Sequence, residues 1–236
     1  LTYLGEFTRK AISKALTTKA QSAMVKIAPG IDVEHFIPTD AAPLRESLGL
    51  TDKKVIVSVG RLVHRKGQDH LIEAMPEILK KVPRAHLLLV GEGPYREHLQ
   101  KLVHQHKLES SVTFIGRIQY QNLPMYICVG DIFAMPSRSR LMGLEVEGLG
   151  IVYLEASSCG LPVLAGDSGG APDAVIQNET GLVVSGTNNE EIASAAVALL
   201  TNLEASQKMG VVGRQWIVDN WRWEIWSKGF EELLKK

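Results

Sequence analysis

The chain has 236 residues, of which 45% are hydrophobic and 22% are charged, a composition typical of globular proteins. Lys+Arg and Asp+Glu both number 26, so the chain lacks the net basic charge of many nucleic-acid-binding proteins. Its longest apolar runs, such as residues 87–90, have the length of a strand, far below the roughly 18 residues of a membrane span. We therefore expect no nucleic-acid partner and only a peripheral contact with any membrane.

The two cysteines, Cys128 and Cys159, stand among apolar or small neighbours without the spacing of a metal site. We expect both to be reduced core residues, which is typical of a cytoplasmic protein. The first ten residues mix polar and apolar side chains, so we do not expect them to form a signal peptide. The missing initiator Met indicates a fragment of a longer chain.

Short β-rich runs alternate with helical patterns from about residue 55 onward. Residues 55–60 form the first run, and apolar residues between 71 and 82 then recur at the spacing of one helix face. The same alternation predicts strands at 86–90, 112–115, 132–135, 162–165 and 180–184, and helices near 94–106, 121–129, 151–159, 171–176 and 189–201. This pattern predicts an α/β fold: a Rossmann-like parallel sheet of about six strands with helices on both faces. Such sheets bind ligands at the carboxyl ends of their strands.

The two ends of the chain extend beyond this layered unit of residues 41–205. Residues 1–28 predict the end of a preceding domain, and residues 29–40 predict a linker that begins with a Pro-Gly turn. Residues 206–236 predict C-terminal helices. All four tryptophans lie in this last segment, where they are typical of packing anchors.

The first candidate site is the loop 60–67, which follows the first strand and leads into a helix. Glycines bound it at both ends, and it carries three cations: Arg61, Arg65 and Lys66. A helix N-terminus attracts anions, and these side chains add charge-assisted hydrogen bonds to phosphate oxygens. The order Lys-Gly, with no Ser or Thr after it, excludes a Walker loop. From these residues alone, a phosphate-binding loop and a solvated basic loop both remain open.

The second candidate site follows the strand at 132–135, where Glu147 precedes a glycine-rich helix start. Gly148 and Gly150 allow a ligand to approach the backbone, whose free amides at the helix N-terminus bind phosphate. Glu155, two turns along, is suited to accept hydrogen bonds from a pair of sugar hydroxyls. Acidic pairs are common at any spacing, so the position after a buried strand is what carries this prediction.

Two further glycine-rich segments follow strands. Residues 91–96 carry Arg96 where a dinucleotide-binding fingerprint requires its last glycine, so we interpret them as a tight turn into a helix. Residues 166–173 repeat the order strand, glycine turn and helix start. A ligand contact and a simple turn both remain open for that segment.

Four ordered segments together resemble glycosyltransferase family 4. They read GRLVHRKG, LLVGEGPYR, FIGRI and EGLGIVYLEASSCGLPVLAGDSGGAPDAV, at 60–67, 88–96, 114–118 and 147–175. In that family such motifs belong to the C-terminal, donor-binding half of a two-domain GT-B enzyme that retains anomeric configuration. The resemblance implies that residues 41–205 bind a nucleotide sugar and that residues 1–28 end an N-terminal acceptor domain. It also implies that the helices of 206–236 cross back toward that domain.

The resemblance implies a role for each candidate residue, and it implies no metal or other cofactor. Arg61 and Lys66 would bind the diphosphate and assist its departure, and Glu155 would hold the ribose hydroxyls. Glu147 would hold the transferred hexose and complete the catalytic set with the two cations. The remaining donor contacts would come from Arg117 and Ile118 at the base, and from the backbone amides of Gly148, Leu149, Gly150 and Ile151 at the hexose and β-phosphate.

The loop 137–146 is longer than the family pattern, and the sequence around it is similar to actinobacterial phosphatidylinositol mannoside mannosyltransferases. That similarity implies GDP-mannose as the donor and a phosphoinositide glycolipid as the acceptor, held mainly by an N-terminal domain. It implies a peripheral location at the inner, cytoplasmic face of the plasma membrane. The chain by itself is then expected to bind nucleotide without transferring sugar.

Two other functions fit the same scaffold. A sugar-nucleotide epimerase also has GT-B architecture, but the two cations and the glutamate pair match the transferases better. A nucleotide-binding module without catalysis is the second alternative. Nucleotide binding without turnover distinguishes such a module from a complete enzyme.

Overall fold

A computed structural model describes residues 1–235 of the chain. It has an α/β fold built on a six-stranded parallel sheet, which confirms the predicted fold class. A two-stranded sheet precedes it, formed by β1 (Thr2–Tyr3) and β2 (Val25–Lys26). The main sheet contains β3 (Lys54–Val59), β4 (Ala85–Val90), β5 (Val112–Gly116), β6 (Ile132–Met135), β7 (Val163–Gly166) and β8 (Gly181–Val184). Each of these six strands begins and ends within one residue of its predicted bounds.

Ten α-helices lie within the described residues. They are α1 (Glu6–Ser13), α2 (Thr18–Ser22), α3 (Ala42–Ser47), α4 (Gln68–Lys81), α5 (Arg96–Gln105), α6 (Leu123–Cys128), α7 (Ile151–Ser158), α8 (Asn189–Thr201), α9 (Leu203–Asn220) and α10 (Trp223–Leu234). The helix predicted near 171–176 is wrong in type, because the chain makes only a 3-10 turn at Ala171–Ala174. Its next residue, Val175, is extended, which stops the helix after four residues.

Helices cover both faces of the main sheet, as the apolar strands predict. Alternate residues of β3 illustrate this, because Ile56 packs in one buried cluster while Val55 and Val57 pack in the other. The cluster around Ile56 includes side chains of α4, α5 and α8. The cluster around Val55 includes side chains of α7 and the end of α9. The sheet is therefore the middle of three layers.

Residues that precede the main sheet form hydrogen bonds to later parts of the chain. The Phe7 N–H in α1 donates to the Asp173 carboxylate at 3.1 Å, and the Ile31 N–H donates to the Trp221 carbonyl at 2.7 Å. Trp221 is 2% exposed, whereas Trp223 on α10 is 59% exposed. The domain boundaries proposed from the sequence stay predictions. Across residues 1–235, no helix combines the length and the apolar character needed to cross a bilayer.

The strand order places the two candidate sites beside each other. The sheet runs β5-β4-β3-β6-β7-β8, so β3 and β6 are neighbours although β4 and β5 separate them in sequence. The chain order reverses direction at this pair, and ligands bind at such switch points in open parallel sheets. The loops that leave the carboxyl ends of β3 and β6 therefore meet at one edge.

Candidate functional site

The loop after β3 is pressed against the turn after β6. It passes through a 3-10 turn at His64–Lys66 and enters α4 at Gly67, which has a left-handed φ of 74°. A Cβ atom at Gly67 would lie 1.9 Å from the Pro136 carbonyl oxygen, which is closer than any real contact. Glycine is thus required here both for its φ angle and for space.

Lys66 and Glu147 form a buried ion pair where the two loops meet. The Lys66 Nζ atom donates to Glu147 Oε2 at 2.7 Å, and the two residues are 9% and 7% exposed. The sequence predicts both residues for the site, but it does not predict that they pair with each other. Two opposite charges that leave water together must compensate each other closely. The pair therefore holds one cation and one carboxylate in fixed positions at the carboxyl edge of the sheet.

The glycine-rich start of α7 is open to a ligand. A Cβ atom at Gly148 would meet no other atom within 4 Å, so the backbone there faces free space. Gly150 has a φ of 77°, and a Cβ on it would lie 2.3 Å from the Tyr153 ring. The first amides of a helix lack partners within the helix. The start of α7 therefore presents N–H groups beside Glu147, and Leu149 anchors it as a core side chain that is 3% exposed.

Glu155 lies one turn into α7 with an unusually basic carboxyl group. Burial raises the pKa of Glu155 from 4.5 to about 7. Within residues 1–235, no side chain donates a hydrogen bond to this carboxylate. Burial, followed by the charges of Glu155 and Asp32, raises the pKa of Tyr120. Glu155 is thus a partly buried acceptor without a side-chain donor among the described residues, with the Tyr120 phenol nearby.

The remaining predicted residues lie at the same edge of the sheet without contacting one another. Arg61 is exposed just after β3, and Arg117 is exposed just after β5. Ile118 packs partly against the core, and Ile151 at the first position of α7 is 42% exposed. Since β5 and β6 are three strand spacings apart, the edge from Arg117 to α7 spans roughly 14 Å.

A buried ion pair that the sequence does not indicate lies beneath the loop 60–67. The Arg138 guanidinium donates to the Asp69 carboxylate through Nη1 at 2.6 Å and through Nη2 at 2.5 Å. Arg138 Nη2 also lies 2.8 Å from His64 Nδ1, and the Tyr95 hydroxyl donates to Asp69 at 3.0 Å. Asp69 resembles an ordinary acidic residue in a first helical turn, and Arg138 resembles a solvated loop cation. No local signal distinguishes them from such residues.

The long loop 137–146 ends in an exposed apolar tip, which consists of Leu141, Met142 and Leu144. These side chains are 64%, 104% and 87% exposed. At the base of the tip, Arg140 and Arg65 lie 2.9 Å and 3.8 Å from the same carboxylate, that of Glu145. The tip therefore stands next to the loop that carries Lys66. Its first two residues, Leu141 and Met142, have left-handed φ angles of 49° and 52°.

The family model for glycosyl transferases group 1 matches residues 40–216, which is most of the chain. The chain belongs to the glycosyl transferases group 1 family. The candidate site of this chain is the carboxyl edge of the sheet described above, where the cationic loop 60–67, the Lys66–Glu147 ion pair and the start of α7 converge. Within residues 1–235, no group of three or more His, Cys, Asp or Glu side chains is arranged to hold a metal. The expectation that no metal takes part stays a prediction.

Two actinobacterial relatives of this group 1 glycosyl transferase match its whole length. It is 45% identical, over 99% of its length, to the GDP-mannose-dependent alpha-(1-6)-phosphatidylinositol monomannoside mannosyltransferase of Mycolicibacterium smegmatis. It is 40% identical, over 100% of its length, to the enzyme of Corynebacterium glutamicum that acts on the monoacylated form of that lipid. The chain spans 61% of the length of each relative.

Solved structures of glycosyltransferases have the same fold as this group 1 chain. The sucrose-phosphate synthase of Thermosynechococcus elongatus matches with a TM-score of 0.85 and 29% identity, over 99% of this chain and 57% of that one. HepE of Anabaena, solved in complex with UDP, matches with a TM-score of 0.88 over 99% of this chain and 63% of its own. At 22% sequence identity, the match to HepE shows a shared fold only.

Proposed function

We propose that this chain is the donor-binding half of a retaining mannosyltransferase that uses GDP-mannose. The observation that carries the proposal is the junction of Lys66, Glu147 and the open start of α7 at the switch point of the sheet. A cation and free helix amides around one open space suit a diphosphate. A carboxylate fixed at the same point suits the hydroxyl groups of the attached hexose.

The donor would lie along the carboxyl edge of the sheet. Its diphosphate would contact Arg61 and Lys66 together with the amides from Gly148 to Ile151. Glu155 would accept hydrogen bonds from the two ribose hydroxyls, because its carboxylate is partly buried and has no side-chain donor among residues 1–235. The base would then extend toward Arg117 and Ile118. The roughly 14 Å between β5 and β6 suits a nucleotide laid across the strand ends.

The chemistry of this site would be electrostatic. Transfer breaks the bond between the anomeric carbon and the β-phosphate oxygen, which leaves a nucleoside diphosphate with additional negative charge. Arg61 and Lys66 are suited to stabilise that charge, because cations held where negative charge develops lower the barrier to such a departure. Glu147 would orient the hexose. The acceptor hydroxyl oxygen would bond to the anomeric carbon, and its proton would pass to the departing diphosphate.

The identities of the sugar, the base and the acceptor come from the relatives. Both actinobacterial relatives are GDP-mannose-dependent and act on a phosphatidylinositol mannoside, which supports a phosphoinositide glycolipid as the acceptor here. The relatives are transferases, so the epimerase alternative is not favoured. Because the chain spans 61% of their length, we propose that the acceptor site belongs mainly to a part outside residues 1–236. The isolated chain should therefore bind nucleotide without transferring sugar.

A lipid acceptor requires the site to work at a bilayer surface, and we place the enzyme at the inner face of the plasma membrane. The apolar tip of loop 137–146 is the feature of this chain best suited to that contact. The transfer of exposed leucine and methionine side chains from water into lipid is favourable, by about 25 cal/mol per Å² of apolar surface. Arg140 and Arg65 beneath them share a single carboxylate, that of Glu145, which leaves a net positive charge suited to phosphate headgroups.

The experiment that tests the proposal is calorimetric titration of the purified chain with GDP, GDP-mannose and UDP-glucose. Lys66→Ala should weaken GDP binding by about 1.5–3 kcal/mol, the usual contribution of a hydrogen bond to a charged group. Lys80→Ala is the matched control, because Lys80 lies in an exposed ion pair at the opposite end of α4 from the site, and this variant should bind GDP like the parent. Unchanged GDP affinity in Lys66→Ala would show that Lys66 does not bind the diphosphate. If the parent bound UDP-glucose more tightly than GDP-mannose, UDP-glucose would be the better candidate donor.

A further inference from the structure

The turn after β6, residues 136–138, is in close contact with three other loops. The Pro136 carbonyl oxygen is packed against Gly67, where even a methyl group would not fit. The Ser137 carbonyl oxygen is packed just as closely against Gly166, the last residue of β7, and against Gly186, which follows β8. The Arg138 N–H donates to the Arg65 carbonyl at 2.8 Å. This turn therefore constrains the loop after β3, the end of β7 and the loop after β8.

Arg138 adds a second, side-chain connection between this turn and the loop of Lys66. Its guanidinium makes the two bonds to Asp69 described above, and Asp69 lies in the first turn of α4, three residues after Lys66. Arg138 is 4% exposed and Asp69 is 7% exposed. Burial raises the pKa of the Asp69 carboxyl, but the hydrogen bonds and charge of Arg138 outweigh this and hold it below its usual value. A bidentate pair of this kind fixes orientation as well as distance.

The same turn also holds the other half of the site. The Tyr153 hydroxyl donates to the Met135 carbonyl at 2.7 Å and contacts Ser137 Oγ at 2.9 Å, and Tyr153 is fully buried. Its ring lies under Gly150 at the start of α7. One short segment therefore fixes both the start of α7 and the loop of Lys66. The distance between the cation and the helix amides depends on it.

We propose that Arg138 is a positioning residue for donor binding. It holds the loop 60–67 in the position in which Lys66 contacts the donor diphosphate. This rests on the proposed function. Arg138 itself is too buried to touch a ligand, since both terminal nitrogens of its guanidinium already contact Asp69 or His64. When its bidentate contact is lost, the loop is no longer fixed on its inner side. Lys66 then loses its register with Glu147 and the start of α7.

The test compares a nucleoside diphosphate with a nucleoside monophosphate, because only the diphosphate reaches the loop of Lys66. Arg138→Lys keeps the charge but not the planar two-bond contact. We expect its affinity for GDP to fall about tenfold or more, the size of a lost charge-assisted bond. Its affinity for GMP should stay within about twofold, as for a site that the change does not reach. Equal loss of both ligands, or of neither, overturns the proposal.

Two further variants separate positioning from stability. The control is Arg45→Lys, because Arg45 makes a similar two-bond pair with Asp131 at the opposite, amino-terminal edge of the sheet. It should lower the melting temperature without changing the ratio of GDP to GMP affinity. The double variant Arg138→Met with Asp69→Leu replaces the pair by apolar side chains, which often restores stability. It should fold as stably as the parent yet bind GDP weakly, and parental GDP binding would also overturn the proposal.

These measurements distinguish failure of this inference from failure of the proposed function. If the parent chain binds neither GDP nor GMP, the proposed function is wrong, and the positioning role of Arg138 is wrong with it. If the parent binds both and Arg138→Lys binds GDP like the parent, the proposed function stands and the positioning role is wrong.

Discussion

Replacing Glu155 by Gln should stabilise the chain and weaken its nucleotide binding at the same time. Glu155 has a folded-state pKa of about 7 because it is buried, against 4.5 in an unfolded chain. As pH rises from 4.5 to 7, the unfolded state ionises this carboxyl while the folded state retains the proton. Stability is therefore lost over that window, and the full cost of the buried charge is present above pH 7. Gln has nearly the same shape and carries no charge at any pH.

The magnitude follows from the two pKa values. A tenfold change in an ionisation constant corresponds to 1.36 kcal/mol, so the rise from 4.5 to about 7 amounts to about 3 kcal/mol at pH 8. At pH 5 the same calculation leaves under about 1 kcal/mol, since the unfolded carboxyl is only partly ionised there. For a chain of this length, about 3 kcal/mol corresponds to a rise in melting temperature of roughly 6–12 °C.

The assay is urea unfolding of the parent and of Glu155→Gln at pH 5 and pH 8, with GDP titration of both at pH 8. We expect Glu155→Gln to be more stable at pH 8 by about 3 kcal/mol, to be nearly equal to the parent at pH 5, and to bind GDP more weakly. Glu46→Gln, at an exposed carboxylate on α3, is the control and should change neither property. A Gln variant that is less stable than the parent at pH 8 would refute the reasoning, because Glu155 would then have a stabilising partner. Parental GDP binding by that variant would refute the ribose assignment alone.

Two further predictions concern acid stability and lipid contact. His86 on β4 is 6% exposed, and burial followed by the charge of Lys53 lowers its pKa from 6.5 to about 4. Its neutral form is favoured in the folded state, so stability is lost as pH falls from 6.5 to 4. His86→Gln should remove about 3 kcal/mol of that loss, measured by urea unfolding. An unchanged pH dependence of stability in the variant would contradict this. Serine at the apolar positions of the 141–144 tip should abolish co-sedimentation of the chain with phosphatidylinositol vesicles, whereas serine at the exposed Val211 on α9 should not. Equal sedimentation of the two variants would show that the tip does not contact lipid.

The sequence determined the architecture of this protein because its signals are local. The six strands are apolar along nearly their whole length, which is typical of strands buried on both faces. The apolar residues between 71 and 82 recur at the spacing of one helix face. The loops that leave those strands carry their own chemistry, so the cations of 60–67 and the glutamates around α7 could be chosen as candidates. The 3-10 turn at Ala171–Ala174 was predicted as a helix because a proline at the first turn suits a helix start, whereas the extended Val175 that ends the turn has no signal in the sequence.

Only the tertiary structure decided which of these residues meet. Lys66 contacts Glu147 across 81 residues of sequence, because β3 and β6 are neighbours in the sheet although two strands separate them along the chain. Arg138 and Asp69 pair for the same reason, and neither has a local pattern that indicates burial. The raised pKa of Glu155 likewise depends on what packs around α7 rather than on its own neighbours in sequence. Strand order brings distant loops together, and periodicity within one segment carries no information about that order.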